Sequence, residues 1–308
     1  MIKFRKEVPL SQFSNYKIGG NARSFFDAKT VTEIKEALSV QKKEEHLFIL
    51  GGGTNILFAD AGFDGLVLKP SLCEIAVDGN TIYAGAGVLI DTLLRVAEEN
   101  SLSGLEWAGG LPGTFGGALR GNAGAFGGEI KDSVISIKSL QAKSLEEITR
   151  QCNDCKFRYR SSIFREKGNE EIICGATLEL TKGDRKKIRE STYEKVKYRN
   201  KHHPMEHPNI GSMFKNVPIE MVSSDFIRKI KHVIKIDPFP VIPAAYLISE
   251  TGLKGVSYGG AMISPKHPNF IVNVLSACSE DVRALLALVR SEVFKKFSVL
   301  LEEEVQIV

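Results

Sequence analysis

The segment from Gly104 to Gly128, GLEWAGGLPGTFGGALRGNAGAFGG, constrains the fold of this chain more than any other, because ten of its 25 residues are glycine and most of the rest are small or apolar. Glycine reaches positive φ without steric cost and leaves its N–H uncovered, so a backbone this bare can approach a partner closely and aim successive amides at an anionic group. Turn glycines come as singles or pairs, whereas this run interleaves Gly with Ala, Asn and Pro in a continuous track. A second cluster, Leu50-Gly51-Gly52-Gly53-Thr54-Asn55, follows the apolar run Leu47–Leu50, which reads as a strand. Two such loops imply one long, phosphate-containing ligand. The Gly51–Asn55 loop lacks GxGxxG spacing, has no acidic residue at the end of a following strand, and lacks the lysine of a Walker loop, so the binding mode is neither of those.

At 308 residues the chain has room for about two domains of roughly 100–200 residues each. Its apolar stretches fall far short of the ~20 residues that span a bilayer. Met1–Glu7 carries charges with no apolar core after them, so neither membrane insertion nor a secretory signal is expected, and the chain reads as cytoplasmic. A net charge of +4 suits anionic small molecules and is no nucleic-acid signature. The cysteines Cys73, Cys152, Cys155, Cys174 and Cys278 are odd in number and form no framework, which argues for reduced thiols. The lone Cys152-x-x-Cys155 has no second pair and no histidine at ligand spacing, so no metal is expected.

From about Ile18 to Leu180, β-like runs (Phe48–Leu50, Gly65–Leu68, Thr81–Ala84, Val134–Ser139, Glu171–Cys174, Thr177–Leu180) alternate with helical patterns. Thr30-Val31-Thr32-Glu33 resembles a capping box, and Ile90–Glu99 carries Leu93, Leu94 and Ala97 at helical spacing. This predicts an α+β domain. Lys182–His203 reads as a basic amphipathic helix with Ile188, Tyr193 and Val196 on one face, ended by the polar, proline-containing connector His202–Pro208. Beyond it come a helix at Ala244–Thr251, a strand at Asn269–Val274, an amphipathic helix from Glu280 to Phe297 and a strand-like Leu300–Val308.

The loops Gly51–Leu57, Gly85–Val88 and Gly104–Gly128 resemble the flavin-binding domain of the vanillyl-alcohol-oxidase (PCMH-type) superfamily, in which FAD lies extended between two α+β subdomains. One family within it fits more closely. Tyr159-Arg160-Ser161-Ser162, Gly211-Ser212-Met213-Phe214-Lys215-Asn216, Gly252-Leu253-Lys254-Gly255, Ser264-Pro265-Lys266-His267-Pro268-Asn269-Phe270 and Leu301-Glu302-Glu303-Glu304-Val305 follow one another in order. This series resembles the UDP-N-acetylenolpyruvoylglucosamine reductase (MurB) family of peptidoglycan synthesis, from about Ser14 to Val305. The resemblance implies a PCMH-type domain over residues 1–183, with subdomains of about 1–70 and 71–183. A helix and linker (184–203), a substrate-binding domain (204–298, with an insertion at about 218–242) and a C-terminal strand (299–308) returning to the active site would follow.

The implied reaction has two halves: NADPH reduces non-covalently held FAD, and the hydride then passes to the enolpyruvyl double bond of a UDP-sugar. Independently of any resemblance, adding hydride to one alkene carbon pushes negative charge onto its neighbour and the carboxylate, so the site needs fixed positive charge, donors and a proton source. By resemblance, Arg160 stabilises that charge, Ser212 donates the proton, and Glu304 carries a proton or donates a hydrogen bond. Each has a plainer reading: an arginine as a surface ion pair, a serine after glycine as a turn residue, a glutamate as solvent-facing charge. Strand alternation puts Glu302 and Glu304 on one side and Glu303 on the other. The resemblance further implies cofactor contacts at Gly51, Gly52, Gly53, Thr54, Asn55, Gly85, Gly110, Pro112, Gly113, Gly116, Gly117, Asn122, Gly124 and Ala125. It implies substrate contacts at Tyr159, Lys215, Asn216 and His267.

The family pattern is not matched everywhere. The short span from Arg160 to Ser212 leaves no room for the tyrosine-bearing insertion of one branch and fits the type II branch. Glu303 replaces the usual proline of the last motif, and the segment after Asn216 is longer than in many relatives. Its Phe226, Ile227, Ile230, Val233, Ile234 and Ile236 predict that it folds. Two other readings remain open at this level: an oxidase of the same flavin superfamily, and a flavin-binding protein without turnover.

Overall fold

The computed structural model describes residues 2–41, 46–236 and 238–308. Residue 237, inside the expected insertion, and residues 1 and 42–45, inside the first expected subdomain, lie outside that description. Two compact units emerge: Met1–Val8, Ala22–Gly52 and Phe63–Tyr198 form the first, and Pro9–Asn21, Gly53–Gly62 and Arg199–Val308 the second.

The first unit contains two sheets. In the four-stranded one the order is Arg5–Pro9, Asn21–Ala28, Phe63–Pro70, His46–Ile49, and the last three run parallel, with Phe25 and Phe48 both in register with Val67. The parallel return from Asn21–Ala28 passes through the helix Val31–Val40. Its N-cap Thr30 accepts from the Glu33 N–H, while the Glu33 carboxylate reaches back to the N–H of Lys29, one residue before the position a capping box uses. Asn169 secures the edge strand: its amide donates to Leu47 O at 2.8 Å and accepts from the Ile49 N–H at 3.3 Å.

The second sheet of this unit is antiparallel, in the order Glu147–Gln151, Val134–Gln141, Glu171–Glu179, Thr81–Gly85, Ile75–Asp78. Its central strand is continuous, where the sequence suggests two. The register shifts between Lys138↔Gly175 and Ser139↔Ile173, so Cys174 is an extra residue on the central strand, a β-bulge. A bulge exchanges the faces that alternate residues occupy. Ile172 and Cys174 accordingly pack with Ala28, Ile34, Ala37 and Leu68, whereas Ala176 and Leu178 pack with Ile82, Leu93 and Ala97. Gly175 marks a close approach, since a Cβ there would lie 2.7 Å from Ala84 O.

The helix Arg185–His202 turns a different side inward than its apolar residues suggest. Ile188 is buried, but Tyr193 is exposed, with Lys197 over its ring. The reason is backbone contact: a Cβ on Gly109 would sit 2.4 Å from Thr192 O, so the glycine loop takes the helix along its Ile188, Thr192 and Lys195 side.

In the second unit the helix Ser279–Phe297 places Val282, Leu285, Leu286, Val289 and Val293 against Leu247 and Ile248 of the helix Ala244–Glu250 and against the antiparallel strands Ser257–Tyr258, Ala261–Ile263 and Ile271–Asn273. Its first turn is sealed by carboxylates: Asp281 accepts from the N–H of Gly260 and of Cys278, and Asp60 from the N–H and hydroxyl of Ser279. The early segment is sewn in by Tyr16, which is fully buried, donates to Ile271 O at 2.8 Å and accepts at its own carbonyl from Asn273. The segment after Asn216 folds into a short helix, Ser224–Lys229, capped by Ser223, and a small sheet ordered Val217–Pro218, Pro240–Ile242, Lys235–Ile236. Ile230 is buried and the ring of Phe226 lies 5.4 Å from that of Phe297. The C-terminal strand is shorter than Leu300–Val308: a single bridge at Glu303 precedes Gln306–Ile307, which runs parallel to Ile56–Leu57.

Candidate active site

Glycine loops converge within the first unit. Gly85 ends the strand Thr81–Gly85, and the chain then bends so that Val88 and Ala86 carbonyls accept from the N–H groups of Phe115 and Gly116, the first residues of the helix Phe115–Gly121. Gly110, Pro112 and Gly113 form the approach to that helix. A Cβ on Gly52 would come within 2.7 Å of Gly113 Cα, and one on Gly116 within 2.8 Å of Ala86 Cβ, so these loops touch backbone to backbone and no larger residue fits. Gly51 and Gly117 flank the hydroxyl of Thr114. That Oγ1 is buried without a hydrogen-bond partner, although Thr114 stands at a helix N-cap where such an oxygen ordinarily accepts from the backbone. Its position inside the glycine segment was the signal; its orphaned hydroxyl could not be read from sequence.

Asn122 is fully buried in the left-handed conformation, and its amide is committed: Nδ2 donates to Glu129 Oε1 and Arg158 O, and Oδ1 accepts from the Lys131 N–H. Its contribution is loop shape, with no side-chain donor left for a ligand. Gly124–Ala125 pairs with Gly128–Glu129 in a small ladder, and Arg160 Nη2 donates to Gly124 O at 2.8 Å. Arg160 and Tyr159 form the tip of a tight hairpin closed by two hydrogen bonds between Arg158 and Ser161. Arg160 adopts positive φ, its guanidinium lies 4.9 Å from the Tyr159 ring centroid, and Arg165 holds its carbonyl. A non-glycine residue kept in that conformation is strained, and such strain collects where geometry matters. Arg158, by contrast, is an exposed ion pair with Glu166.

In the second unit, Met213–Lys215 runs antiparallel to Glu302–Glu304. The Lys215 N–H donates to Glu302 O at 2.9 Å, the Glu304 N–H to Met213 O at 2.8 Å, and Phe214 bridges Glu303. This register places Glu304 opposite Met213, next to Ser212. Asn269 locks the arrangement from the other side, exchanging hydrogen bonds with both backbone groups of Phe214. Gly211 adopts φ +84 with open space around it, so there conformation alone requires glycine; its N–H is held by Asn209 Oδ1. The three glutamates separate: Glu302 pairs with Lys215, Glu303 with Arg290, and Glu304 accepts at its carbonyl from Asn55 Nδ2. Asn55 also accepts from the Gln306 N–H, which ties the end of the Gly53-Thr54-Asn55 loop to the C-terminal strand. Gly53 presses on Phe13 O, and Thr54 is half-buried. Asn216 Oδ1 accepts from the N–H of Ala244, the first residue of its helix.

His267 packs its ring against Phe270 (4.7 Å) and His203 (5.3 Å), and its Nδ1 is buried without a partner. Burial pulls His267 down to about 4 and His203 to about 3, so both are neutral imidazoles at pH 7.

Comparison with known proteins agrees with this layout. The profile described as UDP-N-acetylenolpyruvoylglucosamine reductase, C-terminal domain, matches residues 203–308, and that of a FAD binding domain matches residues 22–145. A UDP-N-acetylenolpyruvoylglucosamine reductase of Caldicellulosiruptor bescii is 35% identical over 100% of this chain and 91% of its own length. This chain belongs to the UDP-N-acetylenolpyruvoylglucosamine reductase family. The reductase of Carboxydothermus hydrogenoformans is 36% identical, covering 97% of this chain and 92% of its own. The crystal structure of UDP-N-acetylenolpyruvylglucosamine reductase (MurB) from Thermus caldophilus matches with a TM-score of 0.78 and 28% identity across 99% of both chains. The reductase family's α+β fold, with its FAD-binding domain, is therefore the fold of this chain.

The first unit of this reductase-family chain fits a dinucleotide. Backbone-to-backbone glycine contacts bare the loops, and Thr114 lines a cleft with Ile49, Leu50, Pro70, Phe164, Ile172 and Ile173. Among the described residues, no cluster of His, Cys, Asp and Glu could hold a metal, and no helix is long and apolar enough to cross a membrane.

Proposed function

We propose that this protein reduces the enolpyruvyl ether of UDP-N-acetylglucosamine enolpyruvate to the lactyl ether of UDP-N-acetylmuramate, with NADPH as the electron source. When bound, FAD supplies the two-electron relay between nicotinamide and sugar nucleotide. The chain's own residues handle charge and protons. Arg160, fixed by its hydrogen bond to Gly124, presents a guanidinium to the negative charge that builds next to the substrate carboxylate. Ser212, on the half-buried turn after Gly211, delivers a proton to the carbon that carries this charge. Glu304, on the strand paired with Met213–Lys215, holds or passes a proton at the substrate carboxylate, because a carboxyl close to a second carboxylate resists ionising. The glycine loops exclude water and bind by backbone; Tyr159, Lys215, Asn216 and His267 line the sugar-nucleotide side.

The observation that carries the reading, given the family, is the pairing of Met213–Lys215 with Glu302–Glu304, which brings the chain segments of Ser212 and Glu304, far apart in sequence, side by side. The reading places the reaction in the cytoplasm, where NADPH and nucleotide sugars are available. Mass spectrometry of the sugar nucleotide after incubation with NADPH checks it: a gain of two hydrogens is expected, and unchanged substrate with NADPH consumed against oxygen would refute it.

A further inference from the structure

A second concavity lies wholly within the second unit, an open pocket of about 410 Å³ where Lys17 of the early segment meets the end of the strand Ile271–Asn273. None of the residues assigned above to the reaction lines it. Backbone fixes its floor: the Asn273 N–H donates to Pro208 O at 3.0 Å. The Asn273 amide is spent on its surroundings, Nδ2 donating to Tyr16 O and Oδ1 accepting from the Ala277 N–H. What remains free at the wall is of one kind. The Lys17 ammonium, the His207 ring and the Ser276 hydroxyl make no hydrogen bond to another described residue, each can donate, and Lys17 brings a full positive charge. No carboxylate is among the described residues that line the pocket, and the acids nearest in the chain are turned elsewhere. Glu206 meets Lys266 at 3.3 Å, and Asp281 accepts from the N–H groups of Gly260 and Cys278. Lys17 and Ser276 are also held in left-handed backbone, at φ +59 and +52. Glycine would make either turn with less strain, so the turns alone do not account for an ammonium and a hydroxyl at these positions.

We infer that this pocket binds a phosphate group, Lys17 holding one oxygen through a charge-assisted bond while His207 and Ser276 donate to the others. A tetrahedral oxyanion accepts from three converging donors at once, whereas the two oxygens of a carboxylate match such a wall less well. The phosphate comes either as the free ion or as the ester of a sugar or nucleotide, and the pocket has room for both.

Isothermal titration calorimetry of the full-length, flavin-loaded protein at constant ionic strength tests this without turnover, with inorganic phosphate and ribose 5-phosphate as probes. The wild type should bind phosphate, and Lys17→Met should weaken it roughly ten- to a hundredfold, the scale of a hydrogen bond to a charged group. Lys17→Arg should keep most of the affinity. Ser276→Gly, which suits the left-handed backbone and removes only the hydroxyl, should show a smaller loss with no drop in the urea midpoint. Ribose 5-phosphate binding at least as tightly as the free ion assigns the pocket to a phosphate ester; binding of the free ion alone assigns it to inorganic phosphate. A wild type that binds neither probe, or phosphate affinity unchanged in both Lys17→Met and Ser276→Gly, would overturn the proposal.

Discussion

The glycine loops of the first unit and the Ser212–Glu304 neighbourhood of the second are built on opposite principles. Around Gly52 and Gly116 the site is shaped by atoms that are missing, since a single Cβ would meet backbone or a packed side chain at under 3 Å. Around Ser212 the shape comes from a ladder: Met213–Lys215, Glu302–Glu304 and the Asn269 amide fix the two chain segments through backbone bonds. Gly211, the glycine of this second region, has open space beside it. Glycine marks crowding in one region and a turn conformation in the other. The first region should tolerate no added carbon; the second should tolerate changes in shape and fail on changes of functional group.

The sharpest division comes from Ser212→Ala. It should slow reoxidation of the flavin by the sugar nucleotide by roughly 10²–10⁴, the range of a positioned general acid, with reduction by NADPH unchanged. Stopped-flow of each half-reaction separates the two, and equal losses in both would remove the proton-donor role. Gly52→Val should release the flavin, because its branched carbon meets Gly113 and Thr114 backbone; overpacking of this kind costs about 1–3 kcal/mol, and the flavin-to-protein ratio after gel filtration reads the result. Gly211→Ala, the matching change in the second region, should cost about 1–2 kcal/mol in urea melts from positive φ alone and keep its flavin.

Acid should also distinguish the regions. Burial opposes ionisation of Glu171, but its bonds to Arg150, Ser139 and Lys167 outweigh that and hold it at about 2, against an ordinary 4.5. Its share of stability, about 3 kcal/mol at most, is complete above pH 4.5 and lost as pH falls toward 2. In the second unit, His203 and His267 are buried neutral at about 3 and 4, below the ordinary 6.5. Their share is complete above pH 6.5 and is lost earlier, as pH falls from 6.5 toward 4, because the unfolded chain takes up the protons first. Glu171→Gln should flatten the urea-midpoint profile only below pH 4.5, and His267→Asn between 6.5 and 4. The reverse assignment would mean that the buried groups have been misread.

What was legible in the sequence follows the same division. The capped helix after Thr30, the helix Ile90–Glu99 and the glycine loops were readable because they are local: a cap, a period and a missing side chain leave direct marks. Gly175 misleads because a strand glycine can mean a break or a close contact, and only pairing with Gly85 shows which. Tyr193 misleads because Gly109, far away in sequence, chooses the buried side of its helix. The service of Asn122 to its own loop and the orphaned hydroxyl of Thr114 depend on what surrounds each residue, which no spacing encodes. That Pro9–Asn21 and Gly53–Gly62 build into the second unit is equally invisible, since Tyr16 finds Ile271 only in three dimensions.

The most direct test of the account is anaerobic. The protein's flavin is reduced with NADPH, excess nicotinamide is removed, UDP-N-acetylglucosamine enolpyruvate is added, and the flavin absorbance is followed. The account predicts return of the oxidised spectrum in step with formation of UDP-N-acetylmuramate; a flavin that stays reduced until air is admitted would contradict it.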